Sequence, residues 1–407
     1  MKRRVVITGG AVVSALGDEW LDILKALKAG ENCVRYMVEW EKYTAMNTRL
    51  AAPVDFTMPD YPRKKTRGLG RIAQLALVSA DRAVASAGIS VDDPMLKNGR
   101  CGVAYGSSMG SVDSLLDFYS MLVFNDVKKI SATTYIKAMP QTCAANIGVF
   151  FGITGRIITT NTACTSSSQA IGFAYETIQR GVQDLILAGG AEELSPADAA
   201  VFDTLFATSS KNKSPETTPA AYDKNRDGLV IGEGAGTLIL EEYEHAKNRG
   251  AKIIAEIVGF GTNADGMHIT QPNRATQGVV MKLALEDARL NPAAIGYVNT
   301  HGTATSVGDV AESWATADVF GRPVLASTLK NYIGHTLCAC GALEAWISIN
   351  MMKEKWFCPN LNLVDLDPEV GPLDYITGSG RDMDTEYIMS NNFAFGGINT
   401  SLIFRNL

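Results

Sequence analysis

Short runs of β-branched and other apolar residues alternate along the chain with longer Ala-rich stretches whose apolar positions recur every three or four residues. This alternation specifies strands buried on both faces and amphipathic helices packed against them, an α/β fold. The apolar runs predict strands at Arg4–Thr8, Gly102–Tyr105, Leu185–Ala188, Thr237–Leu240, Lys252–Gly259, Tyr297–Asn299 and Tyr387–Ser390. The helical period predicts helices at Ile72–Ala87, Ser166–Arg180, Thr276–Ala288, Val310–Phe320 and Ala342–Glu354.

The pattern also repeats itself. Leu75–Ala83 leads through a turn into the 102–105 strand, and Leu283–Arg289 leads through a turn into the 297–299 strand. The repeat predicts two related halves, 1–250 and 251–407, meeting at an interface of the kind that favours ligand sites. The polar, proline-containing stretch Ser209–Tyr222 reads as a surface loop.

Composition narrows the class. A chain of 407 residues that is 46% hydrophobic and 20% charged can bury a large core. Its net charge of −6 argues against nucleic acid as a partner. The seven cysteines follow no framework spacing, which fits reduced thiols in the cytoplasm. Cys338-x-Cys340 beside His335 lacks a second Cys/His pair, so no metal site is expected. Lys2-Arg3-Arg4 before Val5–Ile7 mimics a signal peptide, but Gly9-Gly10 breaks the apolar run, and no membrane span is expected.

The candidate chemistry begins at Cys164. It follows the strand-like run 156–160 and precedes a helical stripe of Ala170, Ile171, Ala174, Tyr175 and Ile178. A thiol at a helix N-terminus feels the positive end of the dipole, which favours thiolate, and the first-turn amides are free to bind an oxyanion. Of the four histidines, His245 lies on a polar, solvated helix and His268 in a polar loop. His301 and His335 each adjoin a glycine after a strand-like run, a position that puts side chains at a site edge. A thiol with two imidazoles can hold an acyl group and stabilise charge on a second thioester.

These segments together resemble the β-ketoacyl-acyl carrier protein synthases of the elongating type. The resemblance is carried by Asn161–Ser167, by His301-Gly302-Thr303-x-Thr305 with Gly308-Asp309, and by Lys330 with Gly334-His335. It extends to Phe393–Asn399, Arg226-Asp227-Gly228, Gly232–Gly236 and Arg3–Gly9, so it covers essentially the whole chain in order. It implies a thiolase-like duplicated fold, a five-layered α-β-α-β-α sandwich, assembled as a homodimer or with a heteromeric synthase partner.

By the same resemblance, Cys164 accepts the acyl chain, while His301 and His335 stabilise the malonyl thioester oxygen as neutral Nε2–H donors. Lys330, paired with Glu344, keeps the site positive, and the amides of Cys164 and Phe395 form the oxyanion hole. Thr303 and Thr305 bind a phosphopantetheine arm delivered by the acyl carrier protein, with no other cofactor, and Phe393 lies in the substrate path. The basic cluster Arg63, Lys64, Lys65, Arg67 and Arg71 docks the acidic carrier protein, with Lys128, Lys129, Lys211 and Lys213 as weaker candidates.

Departures from the family pattern are Ala394 and Ile398 flanking Phe395-Gly396-Gly397, and Met109 at the acyl-pocket position. Ala394 is expected to stiffen the phenylalanine gate or alter its open position, and Met109 to shorten or reshape the pocket or else to fill core. A non-catalytic chain-length subunit shares the fold but lacks the nucleophile. A thiolase needs a second cysteine as base, for which only Cys338 and Cys340 qualify. A starter-type synthase carries Asn where this chain has a second histidine.

Overall fold

A computed structural model describes residues 2–407. Its eleven-stranded sheet is made of one strand order used twice. From one edge run the strands Ile157–Thr160, Cys101–Gly106, Leu185–Glu192, Gly234–Glu242 and Val5–Val13. From the other edge, inside the short Asp374–Tyr375, run Leu325–Ser327, Ile295–Asn299, Tyr387–Ala394, Ile398–Asn406 and Ala255–Ala264. In each set the first two pairings are parallel and the last two antiparallel. The copies join where Val5–Ile7 pair with Ala255–Ile257.

Helices supply the crossovers that parallel pairs require. Arg71–Ser86 and Thr142–Phe151 cover the outer face of the first set, and Arg274–Ala288 and Ser306–Phe320 that of the second. Ser166–Gln179 and Cys340–Glu354 pack against each other between the two sets. The result is the five-layered duplicated sandwich. The central helices follow equivalent strands of the two copies, so their N-termini meet, and that meeting point is the site described below. Gly341 permits the contact, since a Cβ there would lie 2.8 Å from Asn392 Oδ1 and from Ser168.

Several boundaries differ from the sequence reading. The strand expected at Lys252–Gly259 runs Ala255–Ala264, and the strand Ile398–Asn406 was hidden behind the glycine-rich turn that precedes it. Ser209–Tyr222 is a surface loop only over residues 210–217. Thr218, Ala221 and Tyr222 are fully buried, and the Tyr222 amide donates to Asp309 Oδ2 at 2.8 Å beneath the site.

His245, expected to be solvated, keeps 32% of its side chain exposed but turns one ring nitrogen inward. Its Nδ1 lies 2.6 Å from the fully buried Glu241, which also accepts from Arg249 (2.7 and 2.8 Å) and Thr8 (2.9 Å). The hydrogen bond to Glu241 raises the His245 pKa above its usual value. Burial opposes the Glu241 charge, yet His245 and Arg249 outweigh it and hold that carboxyl below its usual value. The His245 contribution to stability is therefore complete below about pH 6.5 and is lost as pH rises through the elevated folded value. The Glu241 contribution is complete above about pH 4.3 and is lost as pH falls through the depressed one. His245→Gln is expected to flatten the fall of Tm on the alkaline side of pH 6.5, as measured by thermal melts from pH 5 to 9. An unchanged slope would show that the pair carries no pH dependence.

Candidate active site

Cys164 sits in the turn Ala163–Thr165 that opens into the central helix Ser166–Gln179. Ala163, just before it, is left-handed at φ 49°. The thiol is 4% exposed, and burial pushes its pKa up to about 11. That reverses the expectation of a dipole-favoured thiolate: in the resting site, desolvation outweighs the opposing pull of Lys330 and of the Phe395 and Cys164 backbone groups. Those two amides are the expected oxyanion-hole donors, and both already favour negative charge on the sulfur.

His335 Nε2 lies 3.0 Å from Cys164 Sγ. Its Nδ1 accepts the Leu337 amide at 3.1 Å, so the ring proton resides on Nε2 and points at the sulfur. The His335 backbone is clamped by the first half, with its amide on Val230 O (2.7 Å) and its carbonyl on the Gly232 amide (2.9 Å). Only glycine fits this approach, because a Cβ on Gly232 would lie 2.2 Å from Ile333 O.

His301 leaves the end of strand Ile295–Asn299. Glu312 fixes its loop by accepting the amides of His301 (2.6 Å) and Gly302 (2.8 Å). The two imidazole rings are 5.1 Å apart, edge to face. Burial, with the Lys330 charge added, holds both histidines well below the usual pKa, as neutral donors require.

Lys330 and Glu344 form an ion pair in which each is 1% exposed. Burial works against the ammonium, but Glu344 outweighs it and holds the Lys330 pKa above its usual value. Glu344 Oε2 also accepts from Asn392 (2.8 Å) and Asn299 (3.3 Å), and Asn392 Nδ2 lies 3.5 Å from His301 Nδ1. The sulfur and the two imidazoles lie within 4.8 Å of one another, which is also the spacing of a metal-ligand set. The proton on His335 Nε2 and the nearby Lys330 charge make the group an array of donors to an anion instead.

A cavity of about 240 Å³ reaches Cys164, His301 and His335 past Thr303, Thr305, Phe393, Ala394 and Phe395. The two threonine hydroxyls are 2.9 Å apart. Arg226, 4% exposed, steadies their loop by donating to the carbonyls of Thr305 and Ser306 and pairing with Asp309 and Asp367. Phe395 packs on Phe202 with ring centroids 5.0 Å apart. Its loop is tied to 265–272 through Gly396 N to Ile269 O and Asp265 N to Gly397 O, both 2.7 Å.

The expectations for Ala394 and Arg71 need correction. Ala394 ends strand Tyr387–Ala394 without a positive φ; the left-handed positions are Gly396 (90°) and Gly397 (68°), so the alanine does not strain the gate. Met109 is half-buried next to Ser108, whose hydroxyl turns to Glu192 at 2.6 Å. Arg71 is not a free docking cation, because buried Glu233 holds its Nε and Nη2 at 2.5 and 2.8 Å. Lys65 is partly committed as well, donating to Phe150 O at 2.8 Å. Arg63, Lys64 and Arg67 remain exposed.

The sequence reading missed Glu312, Asn392, Asn299 and Phe202. Only Glu312 left a signal: with Asp309 it puts two carboxylates on one face of an otherwise largely apolar helix. Cys338 and Cys340, the candidate second bases, do not line the cavity.

Residues 2–246 match the beta-ketoacyl synthase N-terminal domain, and residues 254–364 match the beta-ketoacyl synthase C-terminal domain. The chain is 37% identical over 418 residues to 3-oxoacyl-[acyl-carrier-protein] synthase 2 of Vibrio harveyi, covering 100% of this chain and 99% of the relative. It superposes on a crystal structure of a beta-ketoacyl synthase from Burkholderia phymatum with a TM-score of 0.98 and 56% identity, covering 100% of both chains. A type II polyketide ketosynthase solved in complex with its acyl carrier protein superposes with a TM-score of 0.89 and 26% identity, again over 100% of both.

Proposed function

The chain belongs to the beta-ketoacyl synthase family, whose members are condensing acyltransferases, and we propose that it joins an acyl unit held on Cys164 to malonyl-acyl carrier protein. The products are 3-oxoacyl-acyl carrier protein, carbon dioxide and free carrier protein, in fatty-acid or polyketide-type synthesis. The observation that carries this reading is His335 Nε2 lying 3.0 Å from the Cys164 sulfur, with the His301 ring 5.1 Å from the His335 ring.

In the first step the Cys164 sulfur attacks the acyl thioester carbon as its thiol gives up its proton, and the carrier sulfur, expelled as a thiolate, takes up that proton. The Phe395 and Cys164 amides stabilise the tetrahedral oxyanion. In the second, malonyl carrier protein loses CO₂, and the thioester oxygen gains charge between the Nε2–H groups of His301 and His335. The enolate carbon then attacks the Cys164 thioester, which releases the sulfur. Lys330, held by Glu344, contributes positive potential to both steps. No cofactor is required beyond the phosphopantetheine arm, which Thr303 and Thr305 bind in the cavity.

The acyl carrier protein is the proposed partner, and the exposed cations Arg63, Lys64 and Arg67 are its proposed docking surface. We assign the remaining partner as a second copy of this chain. Leu116, Tyr119, Leu122, Val123, Phe124, Val127 and Tyr135 are 59–73% exposed on helices Val112–Phe124 and Ala132–Ala138 and the loop between, a large apolar face for a monomer. Light scattering of the purified chain separates a homodimer from a monomer awaiting a heteromeric synthase. All seven cysteines are free thiols, which supports a reducing cytoplasm. No helix among the described residues is long and apolar enough to cross a membrane.

The test is the mass of the product formed from acyl- and malonyl-carrier proteins. A 3-oxoacyl-carrier two carbons longer supports the reaction, and CO₂ release without a lengthened product contradicts it. Lys64→Glu with Arg67→Glu is expected to raise KM for the carrier protein about tenfold at low salt, with kcat little changed and the difference shrinking as salt rises. An unchanged KM would remove this face from docking.

A further inference from the structure

We propose that Cys340 and Cys338 are positioning residues, whose thiols hold the carbonyls of Cys164 and Ala163 and so set the nucleophile against the histidine donors. The kinetic part of this inference rests on the condensing reaction above, whereas its chemical part rests on geometry alone.

Cys340 Sγ lies 3.1 Å from Cys164 O, and Cys338 Sγ lies 3.2 Å from Ala163 O. Both residues are fully buried. Burial keeps both thiols well above their usual pKa, so each retains the proton it donates. The carbonyls they hold belong to the most constrained stretch of the site. Ala163 is an L-residue in the left-handed region, a conformation that persists only when the surroundings over-determine it. Its carbonyl also receives the Ser166 hydroxyl at 2.7 Å, and that hydroxyl lies 3.1 Å from Cys338 Sγ and accepts the Thr162 amide at 2.9 Å. The turn is therefore pinned from the helix it opens and from the opposite half of the molecule.

Cys340 reaches further. Asn392 Nδ2 lies 3.5 Å from its sulfur, and the same amide donates to Glu344 and approaches His301 Nδ1. Cys340 thus stands between the nucleophile's main chain and the array that holds His301 and Lys330. Both cysteines belong to the segment that follows His335, so the element that aims the imidazole also fixes the sulfur it aims at. Neither thiol lines the cavity, which leaves them no access to a substrate proton and separates this role from that of a catalytic base.

The experiment compares Cys340→Ala, which removes the donor, with Cys340→Ser, which keeps one. Iodoacetamide modification of Cys164 is followed against pH by peptide mass, since labelling needs the thiolate but no carrier protein. In C340A the midpoint of labelling is expected to move to higher pH by about half a unit or more, and acyl transfer to Cys164 to slow about three- to tenfold at unchanged KM. C340S is expected to recover most of both. If C340A does not fold, Cys338→Ala provides the same comparison through Ala163 O. A folded C340A with unchanged midpoint and rate overturns the proposal, as does equal impairment in C340A and C340S, which would mark a packing role. If the wild type labels at Cys164 but accepts no acyl group, the condensing reading fails while the midpoint comparison still decides this one.

Discussion

Glu344→Ala is expected to lower stability by about 3–5 kcal/mol and to abolish condensation. It would leave the Lys330 ammonium 1% exposed with its paired carboxylate gone. Asn299 and Asn392, which now donate to Glu344, would also lose that acceptor. Lys330→Met with Glu344→Leu removes both charges at similar volume and is expected to recover most of that stability while remaining inactive. Chemical denaturation alongside a condensation assay reads both effects. If the single variant keeps wild-type stability, the buried pair is not an ion pair in solution. If the double variant is active, Lys330 has no electrostatic part in the chemistry.

His335→Ala is the second large effect. Removing one preorganised donor to a developing oxyanion lowers turnover by about 10²–10³. The loss is expected in the condensation step, with Cys164 still open to alkylation. His301→Ala should lose a similar factor while leaving the 3.0 Å contact between His335 and the sulfur in place. Because burial holds both rings well below the usual histidine pKa, condensation is expected to show no acid limb near pH 6.5. The neutral donors are already in their working state there, and protonation sets in only at lower pH. A half-maximal rate near pH 6.5 that vanishes in either variant would contradict neutral donors.

The sequence disclosed elements with a strong internal period and residues with unusual chemistry. Helices Ser166–Gln179 and Cys340–Glu354 were legible because their apolar stripes are long, and Cys164, His301 and His335 because so few thiols and imidazoles adjoin glycine-rich loops. The last strand was not legible: Ile398–Asn406 begins inside a glycine-rich motif whose turn chemistry masked it. Arg71 read as part of a basic run because Glu233, its buried partner, lies far away in sequence. The protonation of Cys164 is not legible locally for a related reason. A helix N-terminus can be read from sequence, whereas the desolvation that dominates here comes from elements of both halves closing over the sulfur. The roles of Asn392 and Cys340 are likewise properties of contact between halves, and no local pattern records them.

The central claim is that Cys164 carries the acyl group, and intact-protein mass after incubation with a panel of acyl carrier protein thioesters tests it most directly. The account predicts a single acyl adduct on the wild-type chain, none on Cys164→Ala, and discharge of that adduct when malonyl carrier protein is added. An adduct that persists in the variant, or a wild-type chain that no acyl length loads, would contradict it.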